Sequence, residues 1–323
     1  MSSHRIEAII EACRTGVADP RWKHAAASIA RERKAVEALL STNTPVYGFT
    51  TYLGQLDRHL TTPDSSLEME LLRSHLVGPV TTLPGASVRL VTACKLEQLS
   101  SGGSGLDPTT FETLLDEFGR EPTGGISGCW ASYGSGDVVP ASWWLNSFIK
   151  GHKIPLTHCG DVIALINGDF FSTALALEAA VLFADFIGST LSVISAQTRR
   201  QRMDAGWEPD ARAVWDTFDV MPAGAGTPQL PVSLRDAEPI ARALLNSVVR
   251  LRHAIDARLA SPSANPRFIL TNGEATPISQ SSFLDFGLTF ALTEARQSCL
   301  LSMGVLQRIA HHATEKLQKD SID

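Results

Sequence analysis

The sequence predicts an all-α fold: an elongated bundle of long antiparallel helices, with a smaller N-terminal helical part that carries the loops of a site. Three observations predict it. Residues 169–197, 234–261 and 278–317 read as three long helices. At ~1.5 Å rise per residue each would span roughly 40 Å or more, and helices of that length pack nearly antiparallel. Before residue 119, apolar residues recur at helical spacing in several shorter segments. The longest stretch without that periodicity, 119–141, is rich in glycine yet holds aromatic and apolar residues, the composition of an ordered, functional loop.

In chain order, residues 6–15 and 25–40 read as short amphipathic helices. Ser65-x-x-Glu68 reads as a capping box opening a helix to about residue 76. Helices over 88–99 and 109–118 follow, the latter opened by Thr109-x-x-Glu112. The most apolar segment, 162–193, is interrupted by Asp169, Glu178 and Asp185. It therefore reads as a helix buried in a bundle or a subunit contact and not as a membrane span. Arg199, Arg200 and Arg202 follow it, as basic residues do at a helix C-terminus. The whole chain, 1–323, reads as one domain, with 1–160 as the N-terminal part and 161–323 as the long-helix bundle.

Composition narrows the function. At 323 residues, 44% hydrophobic and 19% charged, the chain is globular. A net charge of −6 and the lack of a basic stripe argue against a nucleic-acid partner. The five cysteines, Cys13, Cys94, Cys129, Cys159 and Cys299, are odd in number and widely spaced. They read as reduced thiols of a cytoplasmic protein, neither a disulfide framework nor a zinc site. His158-Cys159 and His311-His312 lack a third ligand at helical spacing, so no metal is expected. No secretory signal pattern opens the chain.

The chemistry concentrates in residues 130–140, around Gly134-Ser135-Gly136-Asp137. Attack of the Gly136 amide nitrogen on the Gly134 carbonyl carbon would close a five-membered ring. Loss of water from that ring and from Ser135 would leave an exocyclic methylidene, a strong electrophile. Glycine at both ends suits the dihedrals such a ring requires.

Other segments join it in order. They are Tyr47-Gly48-Phe49-Thr50-Thr51, Ser74-His75-Leu76-Val77-Gly78, Lys95-Leu96 to Ser104-Gly105, Leu165-Ile166-Asn167-Gly168, Gln229 with Ser233-Leu234-Arg235, and Asn265-Pro266. On these segments the chain resembles the aromatic amino acid (histidine/phenylalanine) ammonia-lyase superfamily, as a truncated and divergent member. The resemblance implies an ammonia-lyase/fumarase-like helical fold and a lyase that eliminates or adds ammonia at the α,β-carbons of an amino acid or related metabolite. It implies Tyr47 as catalytic acid/base and a self-formed methylidene-imidazolone from Gly134, Ser135 and Gly136, with no metal and no nucleotide. It further implies Asn167 on the electrophile's oxygen or the substrate amine, His75 near the substrate side chain, and Arg235 on a substrate carboxylate, whose geometry its fork matches. The expected partners are a small carboxylate-bearing substrate and further copies of the chain, in a homodimer or homotetramer, with neither nucleic acid nor membrane. The sequence departs from the family pattern at Gly134, where the family has alanine, and at Val232, where it has a second active-site tyrosine. The C-terminal helices of the family, with a further catalytic glutamate, are expected to be absent. Two alternatives stand beside it: a prosthetic-group-independent cyclase or dehydratase that uses the same pocket, and a non-catalytic binding subunit.

Overall fold

The computed structural model describes residues 4–61, 65–120, 127–128, 136–151, 154, 156–197, 206–218, 237–280 and 285–320. Helices dominate these residues, as expected. Two compact units divide the chain: Met1–Leu175 with Asp256–Asp285, and Ala176–Ile255 with Phe286–Asp323.

The first unit holds α1 (His4–Thr15), α2 (Pro20–Leu40), α3 (Ser65–Ser74), α4 (Gly85–Ser100), α5 (Pro108–Phe118), α6 (Val138–Lys150) and α7 (Asp161–Ile166). α4 is its centre. Helices α1, α2 and α5 pack on it, and every residue from 91 to 99 is buried. Such a helix must pair its polar side chains inside the protein. Glu97 accepts the Trp22 indole N–H at 2.7 Å and an Arg21 N–H at 3.2 Å, and pairs with Arg5. Thr92 accepts the Trp144 indole N–H at 3.2 Å. Glu32, buried in α2, accepts the backbone N–H groups of Gly103 and Gly105 at 2.6 and 2.7 Å, which folds the loop after α4 onto α2.

The helix starts differ from the expected capping boxes. Asp107, with Pro108 at the first helical position, opens α5; its carboxylate accepts the Thr109 N–H at 2.8 Å. Glu68 serves no cap of its own helix, because its carboxylate reaches Gly160 and Val162. Helix α6 begins inside the expected loop 119–141. Pro140 sits in its first turn, where the missing N–H has no intrahelical partner to lose.

The third long helix was expected from residue 278; it begins at Phe286, and residue 278 ends a strand. β3 (Arg267–Thr271) and β4 (Glu274–Ile278) pair antiparallel, with Thr271 opposite Glu274 and Arg267 opposite Ile278. Asn272 and Gly273 join them with φ +53° and +86°, the turn that matches strand twist. A second short ladder pairs β1 (Thr81–Thr82) with β2 (Ser127–Gly128).

In the second unit, α8 (Phe170–Gln197), α9 (Pro209–Trp215), α10 (Ala237–Leu259) and α11 (Phe286–Asp320) share a core. It includes Leu191, Ile194, Trp215, Leu244 and Ile309. Trp207 stacks on Trp215 with ring centroids 6.2 Å apart. By length and composition alone the run Asp161–Ser195 could cross a membrane. Within it the helix breaks at Asn167, and the buried Asp169 pairs with Arg258. The Arg199, Arg200 and Arg202 cluster lies outside the described residues.

Gly160 fixes the start of α7. It takes φ +87°, and a Cβ there would lie 2.0 Å from the Phe49 ring. Gly160→Ala combines a left-handed backbone penalty of about 1–2 kcal/mol with an overpacking cost of about 1–3 kcal/mol. The expected loss is therefore on the order of 2–5 kcal/mol, read as a lower urea midpoint at unchanged slope.

Candidate functional site

Three of the expected site segments meet on the short helix α7. Tyr47 lies in a tight turn: Thr50 Oγ1 accepts the Val46 N–H at 2.8 Å, and the Thr50 N–H bonds Val46 O at 2.9 Å. Gly48 has φ +69°, and a Cβ on it would meet Ile163 Cγ1 at 2.8 Å. The turn therefore rests directly on α7. The Tyr47 phenol oxygen accepts the backbone N–H of Gly54 at 3.1 Å. Gly54 itself has φ +64°, which bends the chain so that its amide faces back.

Asn167 ends α7, its N–H bonded to Ile163 O at 3.1 Å. Its side-chain amide donates to the backbone carbonyl of Asn265, the asparagine of the Asn265-Pro266 segment. Its own carbonyl accepts Lys95 Nζ at 2.9 Å and Gln98 Nε2 at 3.3 Å. Gly168 O accepts the Asp137 N–H at 3.3 Å, so the Asn167-Gly168 step is bonded to the residue that follows Gly136. Gly136 is buried, with φ +85°. The Asp137 carboxylate accepts the Ser172 N–H at 2.7 Å and the Ser172 hydroxyl, which ties this loop end to the first turn of α8.

His75 sits at the end of α3. Its Nδ1 is 2.8 Å from Leu71 O, an atom that can only accept, so Nδ1 carries a proton. Gly134, Ser135 and Arg235 lie outside the described residues, as does Val232.

Buried carboxylates surround α7. Glu68 accepts the N–H groups of Gly160 and Val162, both at 2.7 Å, at the start of that helix. Burial nevertheless pushes its carboxyl up to about 7, and the neighbouring Asp161 adds to the rise. Asp161 accepts the Thr110 hydroxyl at 2.8 Å, and burial raises it to about 6. Burial likewise raises Asp137 to about 6. The His158 ring stands 3.5 Å from Asp107 and 3.7 Å from Asp161. Cys159 donates its thiol to Phe49 O at 2.9 Å, and burial drives that thiol up to about 12, far from a reactive thiolate. Among the described residues, no three His, Cys, Asp or Glu side chains gather as a metal set.

Sequence reasoning did not reach Gly54, Gln98 or the Glu68 contact. One signal was present: the apolar run 88–99 contains Lys95, Glu97 and Gln98 without a separate polar face.

Comparison with known proteins identifies the family of the chain. A family model described as aromatic amino acid lyase matches residues 5–201. The histidine ammonia-lyase of Burkholderia ambifaria is 28% identical, over 75% of this chain and 56% of that protein. That of Aromatoleum aromaticum is 27% identical, over 76% of this chain and 55% of that protein. The chain thus spans little more than half the length of these relatives. The tyrosine aminomutase structure from Streptomyces globisporus superposes with a TM-score of 0.75 at 18% identity, covering 94% of this chain and 68% of that one. The histidine ammonia-lyase structure from Trypanosoma cruzi gives 0.72 at 18% identity, covering 95% and 65%. At these identities the structural likeness carries the fold.

The buried carboxylates set a pH dependence. A carboxyl raised in the fold favours its protonated form there. Its contribution to stability is complete below the unfolded value near ~4 and is lost as pH rises through the folded value. For Asp137, Asp161 and Glu68 that loss falls between about pH 4 and pH 7. The melting temperature should decline across this window, and Glu68→Gln should flatten its upper part. A melting temperature that rises from about pH 4 to about pH 7 would contradict the assignment.

Proposed function

The chain belongs to the aromatic amino acid lyase family, and we propose that it eliminates ammonia from, or adds it to, the Cα–Cβ bond of a small carboxylate-bearing amino acid or related metabolite. The observation that carries this reading is the convergence on α7: the Tyr47 turn packs on Ile163, Asn167 caps the same helix, and Gly168 holds Asp137 beside Gly136.

Tyr47 is the acid/base in this reading. Its phenol oxygen takes up or releases the β-proton, and the Gly54 N–H is a hydrogen bond that strengthens as negative charge gathers on that oxygen. Asn167 offers an amide at the end of α7 to the substrate amine or the electrophile's oxygen. Its present partner, the Asn265 carbonyl, orients it. His75 presents its other ring nitrogen to the substrate side chain, and Arg235 takes the carboxylate in a bidentate pair.

The described part of Gly134-Ser135-Gly136 fits a methylidene-imidazolone. Gly136 holds a left-handed dihedral that other residues resist, and its neighbour Asp137 is anchored through both backbone and side chain. Once closed, that ring would supply the electrophile that makes the amine a better leaving group.

We place the enzyme in the cytoplasm as a homodimer or homotetramer. Exposed apolar side chains support the assembly: Val181, Leu182 and Val193 on α8, and Phe290, Leu301 and Met303 on α11. A second copy would remove them from water. A sedimentation measurement that finds only monomer at micromolar concentration would remove this part of the reading.

Intact mass tests the chemistry directly. Ring formation expels two waters, so the chain should weigh about 36 Da less than its sequence mass. Ser135→Ala should restore the full mass. Tyr47→Phe should keep the deficit and slow turnover of an aromatic amino acid by on the order of 10²–10⁴-fold. A chain of full sequence mass would shift the assignment to a cyclase or dehydratase that works without the ring.

A further inference from the structure

Lys95 has no part in the chemistry above, yet it is fully buried at the middle of α4. Its Nζ donates to Gln98 Oε1 and to the Asn167 carbonyl, both at 2.9 Å, and stands 4.5 Å from the centre of the Phe170 ring. No hydrogen bond described for it reaches a carboxylate; Asp169 and Asp137 act on it through space. Burial therefore holds its ammonium well below the usual lysine range. An amine kept dry, where its charged form is disfavoured, costs the fold stability. Such a cost, concentrated at one residue, points to a task beyond packing.

That task follows from what Lys95 holds. Two donors on one oxygen fix the Asn167-Gly168 peptide, which is planar. Gly168 takes φ +113°, and a Cβ there would lie 2.2 Å from Gln98 Nε2, so only glycine lets this peptide approach the pair. The next carbonyl, Gly168 O, receives the Asp137 N–H. A line of contacts thus runs from α4 through residues 167 and 168 to the backbone immediately after Gly136.

We propose that Lys95, together with Gln98, is a positioning residue: it clamps the Asn167-Gly168 peptide and through Gly168 O sets Asp137 and Gly136 for closure of the ring. The proposal rests on the ring-forming reading of residues 134–136. In that closure the Gly136 nitrogen bonds the Gly134 carbonyl carbon. The former carbonyl oxygen leaves as water with the amide protons of Ser135 and Gly136. The Ser135 hydroxyl leaves as a second water with the Ser135 Cα proton, and no oxidant enters. Intramolecular steps of this kind lose about 10²-fold for a misplacement of about 1 Å.

The test measures intact mass and melting temperature together, on the full chain. Wild type should show the deficit of about 36 Da. Lys95→Met should remain folded, since Gln98 still donates to the Asn167 oxygen, yet acquire the deficit at least about tenfold more slowly after synthesis. A purely structural lysine gives a lower melting temperature with closure intact, and overturns the proposal. Wild type without the deficit defeats the ring reading and this proposal with it. Wild type with the deficit and Lys95→Met closing at the same rate defeats this proposal alone. If Lys95→Met does not fold, or is both less stable and unclosed, Gln98→Leu decides. It removes one donor to the Asn167 oxygen while Lys95 stays. Slowed closure in a folded Gln98→Leu chain supports the proposal, and closure at the wild-type rate overturns it.

Discussion

Within the first unit, a helix that water reaches on no face between residues 91 and 99 constrains everything else. An α4 made only of apolar residues would satisfy burial without specifying what packs where. Its polar residues do the specifying, because each buried donor or acceptor must find its partner at one place. Glu97 fixes α1 and α2 through Arg5, Arg21 and Trp22. Thr92 fixes α6 through Trp144, and Lys95 and Gln98 fix the end of α7. A misplaced α4 would strand several polar groups at once, each at about 1–3 kcal/mol.

The same logic explains why α7, only six residues long, can organise a site. So short a helix has little stability of its own. It is held at its start by Glu68 and the Phe49 ring against Gly160, along its side by Gly48, and at its end by Lys95 and Asn265. These contacts come from segments far apart in the chain: Glu68 lies 92 residues from Gly160, and Asn265 lies 98 from Asn167. Site geometry here is a property of the packed unit, not of any local motif.

That distribution also explains what was legible in the sequence. Helical class and the long helices α8, α10 and α11 follow from periodicity and length, which are local signals. The ordered series from Tyr47 to Asn265 identified residues that the fold does bring together: Asn167 touches Asn265, and Gly168 touches Asp137. The hairpin at 267–278 went unread and the last long helix was started at its final residue, although Asn272-Gly273 between β-branched and aromatic residues is a strong hairpin signal. Helix α6 begins inside the stretch that read as a loop, 119–141, and α7 lies in the apolar segment 162–193 that read as one helix, because the break at Asn167 depends on distant partners. Glu68 looked like a cap because the residue able to claim its carboxylate lies 92 positions away. The contacts of Lys95 lie in the same class: burial on all sides is visible only once the helices are packed.

The buried carboxylates carry a consequence for calorimetry. Glu68, Asp137 and Asp161 each prefer the protonated form once folded. Near neutral pH, folding therefore draws protons from solution and unfolding returns them. The buffer absorbs those protons with its own heat of ionisation. A scan in phosphate and a scan in an amine buffer at the same pH would thus report different unfolding enthalpies for one structural transition. The difference, divided by the gap in buffer ionisation heats, counts the net protons that unfolding releases.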